Sequence, residues 1–432
     1  MPLTVLTDSD VRALLLSLKK KDIEELQENL AEALHEYSTG DTNSSCCSSY
    51  QPQRTVIKRK GVTTLFMPAS TGESLGMKIV ALEAAEASEP KDDSTTSLNS
   101  AMSGVTISRS TSTTKSSASS ISGASFQPPP SVASTSSTTP RGTLTMLDRS
   151  GLPTGVVNAE ELTAFRTALA ATIIFRKRHN VHTITVFGSG KQAYWHIRLA
   201  LLLRGSDIKH INLINRSFER AIKLMKQFHV DEDHQGEEWY SRVKFSALSP
   251  DFQEYGRLLK EEVRKADVLF CCTPSLDPLF PAEFLTSNEG RKKGRFVSAI
   301  GSYAPHMTEV HPDIFRQAVE PDHHNHHHKH AAKSGVVIVD SLESSLREAG
   351  EIIQAKLKPE QLVEIGELMM IKKAAMKEIE LGGQGEKGLR DWLTKGNVLY
   401  KSVGLGLMDL RVGWDLVIMA RERGIGTTIQ DF

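Results

Sequence analysis

The spacing of apolar residues predicts helices and then strands in the first part of the chain. Val11, Leu14, Leu15 and Leu18 recur at helical intervals directly after the capping-box pattern at 7–10. A second helix is expected from residue 22, and short strands are expected at 54–57, 63–67 and 76–80. Lys78 interrupts the last of these apolar strands, and the pattern alone predicts that its side chain faces solvent.

This periodicity stops between residues 83 and 140. From Ser94 to Pro140, 26 of 47 residues are Ser or Thr, and three consecutive prolines begin at Pro128. A segment with so little apolar surface cannot offset the entropy that it would lose on ordering. We therefore predict a disordered insertion over residues 83–140.

The periodicity returns at residue 142, and strands and helices alternate from residue 183. Strands are predicted at 142–148, 155–157, 183–187, 211–214, 243–248, 268–272, 296–300 and 336–339. Helices are predicted at 161–176, 192–204, 217–228, 253–265, 342–356, 361–370 and 408–420. The alternation after residue 183 is typical of an α/β fold with a doubly wound parallel sheet.

A glycine-rich turn follows the predicted strand at 183–187. Gly188 allows a tight turn, Gly190 lets the backbone approach a pyrophosphate, and Ala193 lets the next helix pack closely on the strand. Ser189 and Gln192 belong to the same turn. A strand, a G-x-G-x-x-A pattern and a helix in succession predict a dinucleotide site with the pyrophosphate at the helix N-terminus.

The end of the next strand, Asn215-Arg216-Ser217, bears on the identity of the cofactor. An acidic residue at this position would bind a ribose 2′-hydroxyl group, whereas Arg and Ser suit a 2′-phosphate. The sequence therefore favours NADP(H) over NAD(H).

Composition and charge limit the class of protein. The 432 residues include 52 Lys and Arg and 52 Asp and Glu. The chain therefore has no excess of positive charge that would favour binding to nucleic acid or to an anionic membrane. The sequence shows no run of about 18 apolar residues and no secretory pattern at its start. The four cysteines form two adjacent pairs, 46–47 and 271–272, and not a disulfide framework. We expect a cytoplasmic protein without nucleic-acid or membrane partners.

A histidine-rich stretch at 322–330 holds six of the 15 histidines. Such a tract can bind metal ions, but its spacing does not match a ligand set on a rigid element. We interpret it as a solvated loop and predict no resident metal.

Several separate stretches, in the same order along the chain, resemble the ornithine cyclodeaminase/mu-crystallin family. They are Arg54, Met67-Pro68, Gly76-Met-Lys78, Leu162–Ala168, Phe187–Ala193, Ala299–Glu309, Val339-Asp340, Glu348-Ala-Gly350, Lys401-Ser-Val-Gly404 and Asp409. The resemblance covers the chain apart from the Ser/Thr-rich insertion and the histidine-rich stretch.

The resemblance implies a two-domain subunit that forms a homodimer. Residues 1–82 and 141–170 would form an α+β substrate and dimerisation domain, with the insertion at 83–140 between them. Residues 171–400 would form a Rossmann-type nucleotide-binding domain, and a C-terminal helix in 401–432 would return to the substrate domain.

The resemblance also implies which residues form the site. Arg54, Lys78 and Arg166 would hold the α-carboxylate of an amino or imino acid, since guanidinium groups bind carboxylates bidentately. Lys78 and Tyr303 would be the catalytic side chains. The cofactor contacts would come from Gly188, Ser189, Gly190, Gln192, Ala193, Asn215, Arg216, Ser217, Thr273, Gly301, Lys401 and Val403.

Activities in the family exchange a hydride between a nicotinamide and an amino-acid α-carbon through an imine. Its cyclodeaminases use an Asp base after a Gly-Gly pair, but here Gly301-Ser302-Tyr303 places a tyrosine at that position. A phenol with an ordinary pKa near 10 is a poor base at neutral pH. The leading hypothesis is therefore an NAD(P)H-dependent reductase of a cyclic ketimine or imino acid. The alternatives are a cyclodeaminase that forms proline from ornithine and a non-catalytic NADPH-dependent binding protein of mu-crystallin type.

Overall fold

The computed structural model describes residues 2–40, 51–59, 62–83, 141–230, 239–320, 336–368 and 387–432. The predicted insertion, apart from Glu83 at its start, and the histidine-rich stretch lie outside these ranges, as does the cysteine pair 46–47. Among the described helices, none combines the length and the apolar character needed to cross a membrane.

The described chain contains fifteen strands and twelve helices that are used below. The strands are β1 Leu3–Leu6, β2 Thr55–Arg59, β3 Val62–Ser70, β4 Ser74–Glu83, β5 Arg141–Asp148, β6 Pro153–Asn158, β7 Thr183–Phe187, β8 His210–Ile214, β9 Lys244–Leu248, β10 Val268–Cys271, β11 Phe296–Ala299, β12 Val337–Val339, β13 Leu362–Glu364, β14 Val398–Lys401 and β15 Thr427–Ile429. The helices are α1 Asp8–Ser17, α2 Lys20–Thr39, α3 Ala159–Phe175, α4 Lys191–Arg204, α5 Phe218–Val230, α6 Tyr255–Lys265, α7 Glu283–Thr286, α8 Pro312–Val319, α9 Leu342–Glu348, α10 Gly350–Ala355, α11 Lys387–Lys395 and α12 Gly406–Arg423.

A mixed seven-stranded sheet contains the first strands and the last one, in the order β15-β1-β6-β5-β4-β3-β2. The pair β1 and β6 is parallel, and the other neighbours are antiparallel. Helix α12 packs against strands β3, β4 and β5 of this sheet and against α2 and α3. The capping box predicted at Thr7 forms, because Thr7 and Asp10 exchange side-chain and backbone hydrogen bonds at the start of α1.

The second sheet has eight strands, all parallel, in the order β13-β12-β14-β11-β10-β7-β8-β9. The prediction of a doubly wound parallel sheet is confirmed. The strand order reverses beside β7, where β8 lies on one side and β10 on the other. In such sheets ligands bind at the carboxyl ends of the strands at this switch point.

Helix α3 connects the two sheets. Fifteen of its 17 residues are buried, because it packs against α2, α4 and α12 at once. Phe165 of α3 meets Trp195 of α4 edge to face at 5.3 Å, and the Trp195 indole N–H donates to Glu161 Oε2 at 2.7 Å. Because this helix is packed on several sides, the backbone that carries Arg166 is held rigidly.

Two helix predictions are wrong in part. Residues 362–364, expected in a helix over 361–370, form β13, whose backbone pairs with β12 at the sheet edge and whose side chains are buried. The helix expected over 342–356 is interrupted at Ala349, which has an extended conformation (φ −77°, ψ 106°). Gly350 follows it so close to the Met307 carbonyl that a Cβ would lie 1.8 Å from the oxygen. Packing against that loop therefore breaks the helix.

Candidate active site

Three predicted site residues, Arg54, Lys78 and Arg166, form what we call the cationic cluster. Lys78 Nζ of β4 lies 2.7 Å from Asp409 Oδ1 of α12, and Arg166 Nε of α3 lies 3.2 Å from the same oxygen. The side chains of Lys78, Arg166 and Asp409 are buried. The prediction that Lys78 faces solvent is wrong, since the residue is 2% exposed and its ammonium group is paired inside the protein. One carboxylate oxygen thus holds two cations side by side.

Burial lowers the pKa of Lys78 to about 8. Asp409 acts in the opposite direction, while the positive charges of Arg166 and Arg54 add to the lowering. Arg54 lines one cavity with Met67 and Gly404. Met67 pairs with Lys78 between β3 and β4, and Gly404 lies against the Arg166 guanidinium group. The structure therefore brings the three residues into one neighbourhood.

Arg54 is the member of the cationic cluster nearest to solvent, with 15% of its side chain exposed. Its Nε donates to Glu348 Oε1 at 3.1 Å, and its NH2 pairs with the other oxygen of that carboxylate. Glu348 is shared, because Arg347 NH2 donates to it at 3.0 Å. Arg54 also lines a cavity of about 50 Å³ together with Tyr37, Met67 and residues 404–406. Of the three cations of the cluster, Arg54 is the one that lines this cavity.

The loop at 401–404 is held against Arg166 by a buried aspartate. Asp340 Oδ2 accepts the Ser402 hydroxyl at 2.7 Å and the Gly404 N–H at 2.7 Å. It also accepts the N–H of Val403, a predicted cofactor contact, at 3.1 Å. Gly404 has φ +90°, and a Cβ there would lie 2.9 Å from Arg166 NH2. The K-S-V-G pattern therefore supports the guanidinium group from one face.

The glycine turn fits a dinucleotide pyrophosphate. Gly188 has φ +109°, and a Cβ there would lie 2.9 Å from the Cys272 carbonyl oxygen, so only glycine suits the position. Gly190 is the N-cap of α4 and makes no side-chain cap bond, and a Cβ there would meet no atom within 4 Å. Within the described residues, Gln192 Oε1 is buried without a hydrogen-bond partner. Free helix N–H groups and open space before them are what a pyrophosphate needs, whereas the Gln192 amide oxygen can only accept from a donor such as a hydroxyl or N–H group of the ligand.

Ser189 lies between these glycines, and Ala193 is buried in the first turn of α4. Lys191 of the same turn pairs with Glu160 and Glu161 of α3 at 2.8 and 2.9 Å. The start of α4 is thereby tied to α3, which carries Arg166. This connection fixes the candidate cofactor turn relative to the cationic cluster.

The predicted contacts for the cofactor ribose lie at the carboxyl end of β8. Asn215 Nδ2 donates to the Ser217 carbonyl at 2.8 Å, which holds the turn that contains Arg216. The Ser217 hydroxyl donates to Glu219 Oε2 at 2.8 Å. Hydrogen bonds from the backbone N–H of Glu219 itself and from this hydroxyl lower the pKa of the exposed Glu219 carboxyl group. An acidic group missed by the sequence analysis therefore lies near the position proposed for the 2′-phosphate.

Lys401, also predicted to contact the cofactor, lies in what we call the carboxylate network, with Ser302, Glu309 and Glu351. Lys401 Nζ donates to the Ser302 carbonyl at 2.6 Å and lies 3.3 Å from Glu351 Oε2. All four residues are fully buried. Glu309 in turn accepts the backbone N–H groups of the predicted contacts Thr273 and Gly301. Lys401 is therefore connected to the predicted cofactor contacts Thr273 and Gly301 through the carboxylate network.

Tyr303 follows the carboxylate network on an open loop and is 40% exposed. Partial burial raises the pKa of its phenol above the ordinary value of 10. Within the described part of the chain, no hydrogen bond joins it to the cationic cluster. At neutral pH an even smaller fraction of this phenol is ionised than in a free tyrosine, so little phenolate is available to act as a base.

Five acids of the site carry no role in the sequence-based prediction: the buried Glu309, Asp340, Glu351 and Asp409, and the half-buried Glu348. Each holds a cation or a backbone N–H group of the site. The available signal was an acidic residue inside or beside an apolar stretch, as at 407–410.

The sequence is similar to those of several known proteins. An uncharacterized protein of Saccharomyces cerevisiae, YGL159W, is 30% identical over 274 residues, which cover 59% of this chain and 68% of that protein. A Delta(1)-pyrroline-2-carboxylate reductase of Bacillus cereus is 27% identical, over 65% of this chain and 71% of the relative. The rat ketimine reductase mu-crystallin is 23% identical, over 59% and 61%. The chain belongs to the ornithine cyclodeaminase/mu-crystallin family.

The fold of this family member also matches solved structures. The Thermococcus litoralis Delta(1)-pyrroline-2-carboxylate reductase, solved in complex with NADH and L-proline, superposes with a TM-score of 0.62. The alignment covers 99% of this chain and 100% of that structure at 17% identity. No family model matches the chain. The shared fold places the cationic cluster and the glycine turn on one scaffold.

Proposed function

We propose that this protein is an NAD(P)H-dependent reductase of a cyclic ketimine or imino acid. The observation that carries the proposal is the cationic cluster, in which Lys78 and Arg166 share one oxygen of Asp409. Two guanidinium groups and an ammonium group that are buried or half-buried beside one another favour an anionic ligand such as a carboxylate. The α-carboxylate of an imino acid is such a ligand, and it is the group that the three residues would bind.

The names of relatives support the reaction class. They include Delta(1)-pyrroline-2-carboxylate reductases and a ketimine reductase, and each of these names describes the reduction of a C=N bond. The solved reductase with NADH and L-proline carries a cofactor and a cyclic imino acid together. A cyclic imino acid with one carboxylate is therefore the substrate class that we propose here.

The residues of this chain would bind and orient the substrate. When bound, the reduced dinucleotide would supply a hydride. Arg166, fixed by α3, and Arg54, at the cavity, would clamp the carboxylate. Lys78 would contribute the third positive charge and, with a pKa of about 8, could hold a proton at Nζ near the substrate nitrogen. Tyr303, with its raised pKa, would not be required as a base in this reaction.

The direct test compares two cyclic imines with NADPH. Delta(1)-pyrroline-2-carboxylate carries the carboxylate, and Delta(1)-pyrroline lacks it. We expect NADPH oxidation with the acid and a kcat/KM at least about 100-fold lower without the carboxylate, the effect of one strong charge-assisted contact pair. Equal turnover of the two imines would contradict the assignment of the cationic cluster.

For the cofactor, we propose a preference for NADPH over NADH. The support is Arg216 at the end of β8, whose guanidinium suits a 2′-phosphate, although the Ser217 hydroxyl beside it already donates to Glu219. Dissociation constants of the purified protein for both cofactors test this, with Arg216→Ala as the variant. We expect NADPH to lose about tenfold in affinity and NADH to change little. Tighter NADH binding to the unchanged protein would contradict the preference.

For the assembly, we propose a homodimer in which the first sheet takes part. Its edge strand β2 is exposed along its whole length and presents Val56 and Ile57 to solvent. An exposed apolar edge strand is a surface that a second chain can cover. Light scattering of the purified protein tests this, and a monomer at micromolar concentration would contradict it.

A further inference from the structure

Strands β10 and β11 are connected beyond their ends by a side chain. Their parallel pairing reaches Cys271 and Ala299, and Ile300 N donates to the Cys271 carbonyl at 3.1 Å. Beyond that point the two chain segments are joined by the side chain of Glu309. Its Oε1 accepts the Thr273 N–H at 2.7 Å, and its Oε2 accepts the Gly301 N–H at 2.6 Å. One carboxylate thus bridges the two loops that follow the strands.

This bridge lies beside the glycine turn. A Cβ at Gly188 would lie 3.0 Å from Thr273 Cγ2, and a Cβ at Gly301 would lie 2.2 Å from the Thr273 carbonyl oxygen. Thr273 is therefore enclosed between the turn after β7 and the loop after β11. The three strand ends meet at the switch point, where the dinucleotide is proposed to bind.

The carboxylate of Glu309 is itself fixed by the carboxylate network. The Glu309 N–H donates to Glu351 Oε1 at 2.8 Å, and the Ser302 hydroxyl donates to the same oxygen at 2.5 Å. Lys401 supplies one positive charge for the two carboxyl groups. Burial raises the pKa of Glu309 to about 8, with Lys401 opposing and Glu351 adding to this shift. Burying a second carboxyl group beside a single ammonium group costs free energy. The structural feature that this second carboxyl group provides is the bridge between the two loops.

We propose that Glu309 is a positioning residue, whose carboxylate sets the spacing between Thr273 and Gly301 and so preorganises the cofactor site. The proposal rests on the proposed dinucleotide site. Glu309 has no exposed surface, and both of its oxygens are occupied by backbone donors. It therefore acts through the two loops and not on the substrate.

The variant that isolates this role is Glu309→Gln. An amide keeps the shape of the side chain but has one acceptor oxygen, so it can satisfy only one of the two N–H groups. The matched control is Asp267→Asn. Asp267 accepts the Thr183 N–H at 2.9 Å and pairs with Lys293 at 2.8 Å, so it ties β7 to β10 at the opposite, amino edge of the sheet.

The first measurement is hydrogen exchange of the cofactor-free protein, read by mass spectrometry on peptides that contain residues 273 and 301. In Glu309→Gln we expect exchange in these peptides to be at least about tenfold faster, because a bridging hydrogen bond is lost. In Asp267→Asn the same peptides should exchange at the unchanged rate. Equal protection in Glu309→Gln and the unchanged protein would overturn the proposal.

The second measurement is the dissociation constant for NADPH by titration. We expect Glu309→Gln to weaken binding about tenfold and Asp267→Asn to stay within about twofold, even where the two variants lose similar thermal stability. Equal weakening in both variants would reduce Glu309 to a general structural role. An unchanged protein that binds neither NADPH nor NADH would instead reject the dinucleotide site itself.

A variant that keeps the charge covers the case in which Glu309→Gln does not fold. Glu309→Asp retains the carboxylate beside Lys401 but is one methylene shorter, so it cannot reach both N–H groups. We expect both measurements to shift in the same direction by about threefold. If Glu309→Asp folds and shifts neither, the spacing of the two loops does not depend on Glu309.

Discussion

The cationic cluster and the carboxylate network are both groups of ionisable side chains inside the protein, but one is built around cations and the other around two carboxyl groups. In the cluster, Arg54, Lys78 and Arg166 face Asp409 and a Glu348 that also serves Arg347. In the network, Glu309 and Glu351 face the single ammonium group of Lys401.

The two regions also differ in access. The cluster reaches a cavity through Arg54, whereas the four network residues have no exposed surface. Cationic side chains beside a cavity can take a carboxylate ligand, whereas carboxyl groups with no exposed surface can only hold their surroundings in place. The cationic cluster is therefore suited to binding a ligand, and the carboxylate network is suited to positioning the loops around it.

The largest expected effect comes from removing the counter-ion of the cluster. Asp409→Asn leaves Lys78 and Arg166 buried without their shared carboxylate, and breaking such a pair costs about 3–5 kcal/mol of the free energy of unfolding. Glu351→Gln is the matched change in the network, because both replace a fully buried carboxyl group by an amide.

Glu351→Gln should cost clearly less, because Glu309 remains as a counter-ion for Lys401 and the repulsion between the two carboxyl groups disappears. Urea denaturation of the two variants beside the unchanged protein measures both losses. A larger loss for Glu351→Gln would reverse the proposed difference between the regions.

The next effect concerns the substrate. Arg54→Ala or Arg166→Ala removes a charge-assisted contact worth about 1.5–3 kcal/mol, so kcat/KM for the cyclic imino acid should fall by about one to two decades. Steady-state kinetics with Delta(1)-pyrroline-2-carboxylate measures this. Turnover of Delta(1)-pyrroline, which has no carboxylate, is the control and should change little. A similar loss for both imines would show that the arginines serve the fold and not the carboxylate.

The pH dependence of kcat/KM sharpens the role of Lys78. Burial lowers its pKa to about 8, so the free protein carries the positive charge below this pH and loses it as the pH rises through about 8. We expect kcat/KM to fall above pH 8, by at most about tenfold per pH unit. Lys78→Arg should flatten the profile in this range, because arginine keeps its charge. A profile that stays level from pH 7 to 9.5 in the unchanged protein would contradict this role.

The smallest effect is expected from the insertion. Strand β4 pairs with β5 so that Ala81 lies opposite Arg141 and Val80 opposite Gly142, which brings the two ends of the insertion together. Lys78 lies in this ladder, opposite Leu144. Deleting about residues 90–138 should therefore leave the cluster, cofactor binding and the melting temperature unchanged. Loss of soluble protein or of cofactor binding in this deletion would show that the segment supports the sheet.

The parts predicted correctly from sequence are those that a local pattern determines. The strand Thr183–Phe187 and the turn at Gly188 follow from an apolar run and a glycine that needs positive φ. The capping box at Thr7 likewise depends on residues four positions apart at most. In these places the chain does not need its distant partners to define the conformation.

The parts predicted wrongly depend on distant partners. Leu362–Glu364 becomes a strand because β12 offers an edge, which no property of the segment itself indicates. Lys78 is buried because Asp409, more than 300 positions along the chain, neutralises it. The family resemblance supplied Arg54, Lys78 and Arg166 together and included Glu348 and Asp409 in its matching stretches, but the pairing of these acids with the cations became visible only in the structure.

The central claim is that the protein reduces a cyclic imine and does not release ammonia from ornithine. Its most direct test is an assay of both reactions with the unchanged protein and with Tyr303→Phe. We predict NADPH oxidation with Delta(1)-pyrroline-2-carboxylate, no ammonia from ornithine, and a kcat/KM for Tyr303→Phe within about threefold of the unchanged value, because the phenol is not needed as a base. Ammonia release from ornithine by the unchanged protein, abolished in Tyr303→Phe, would contradict the account.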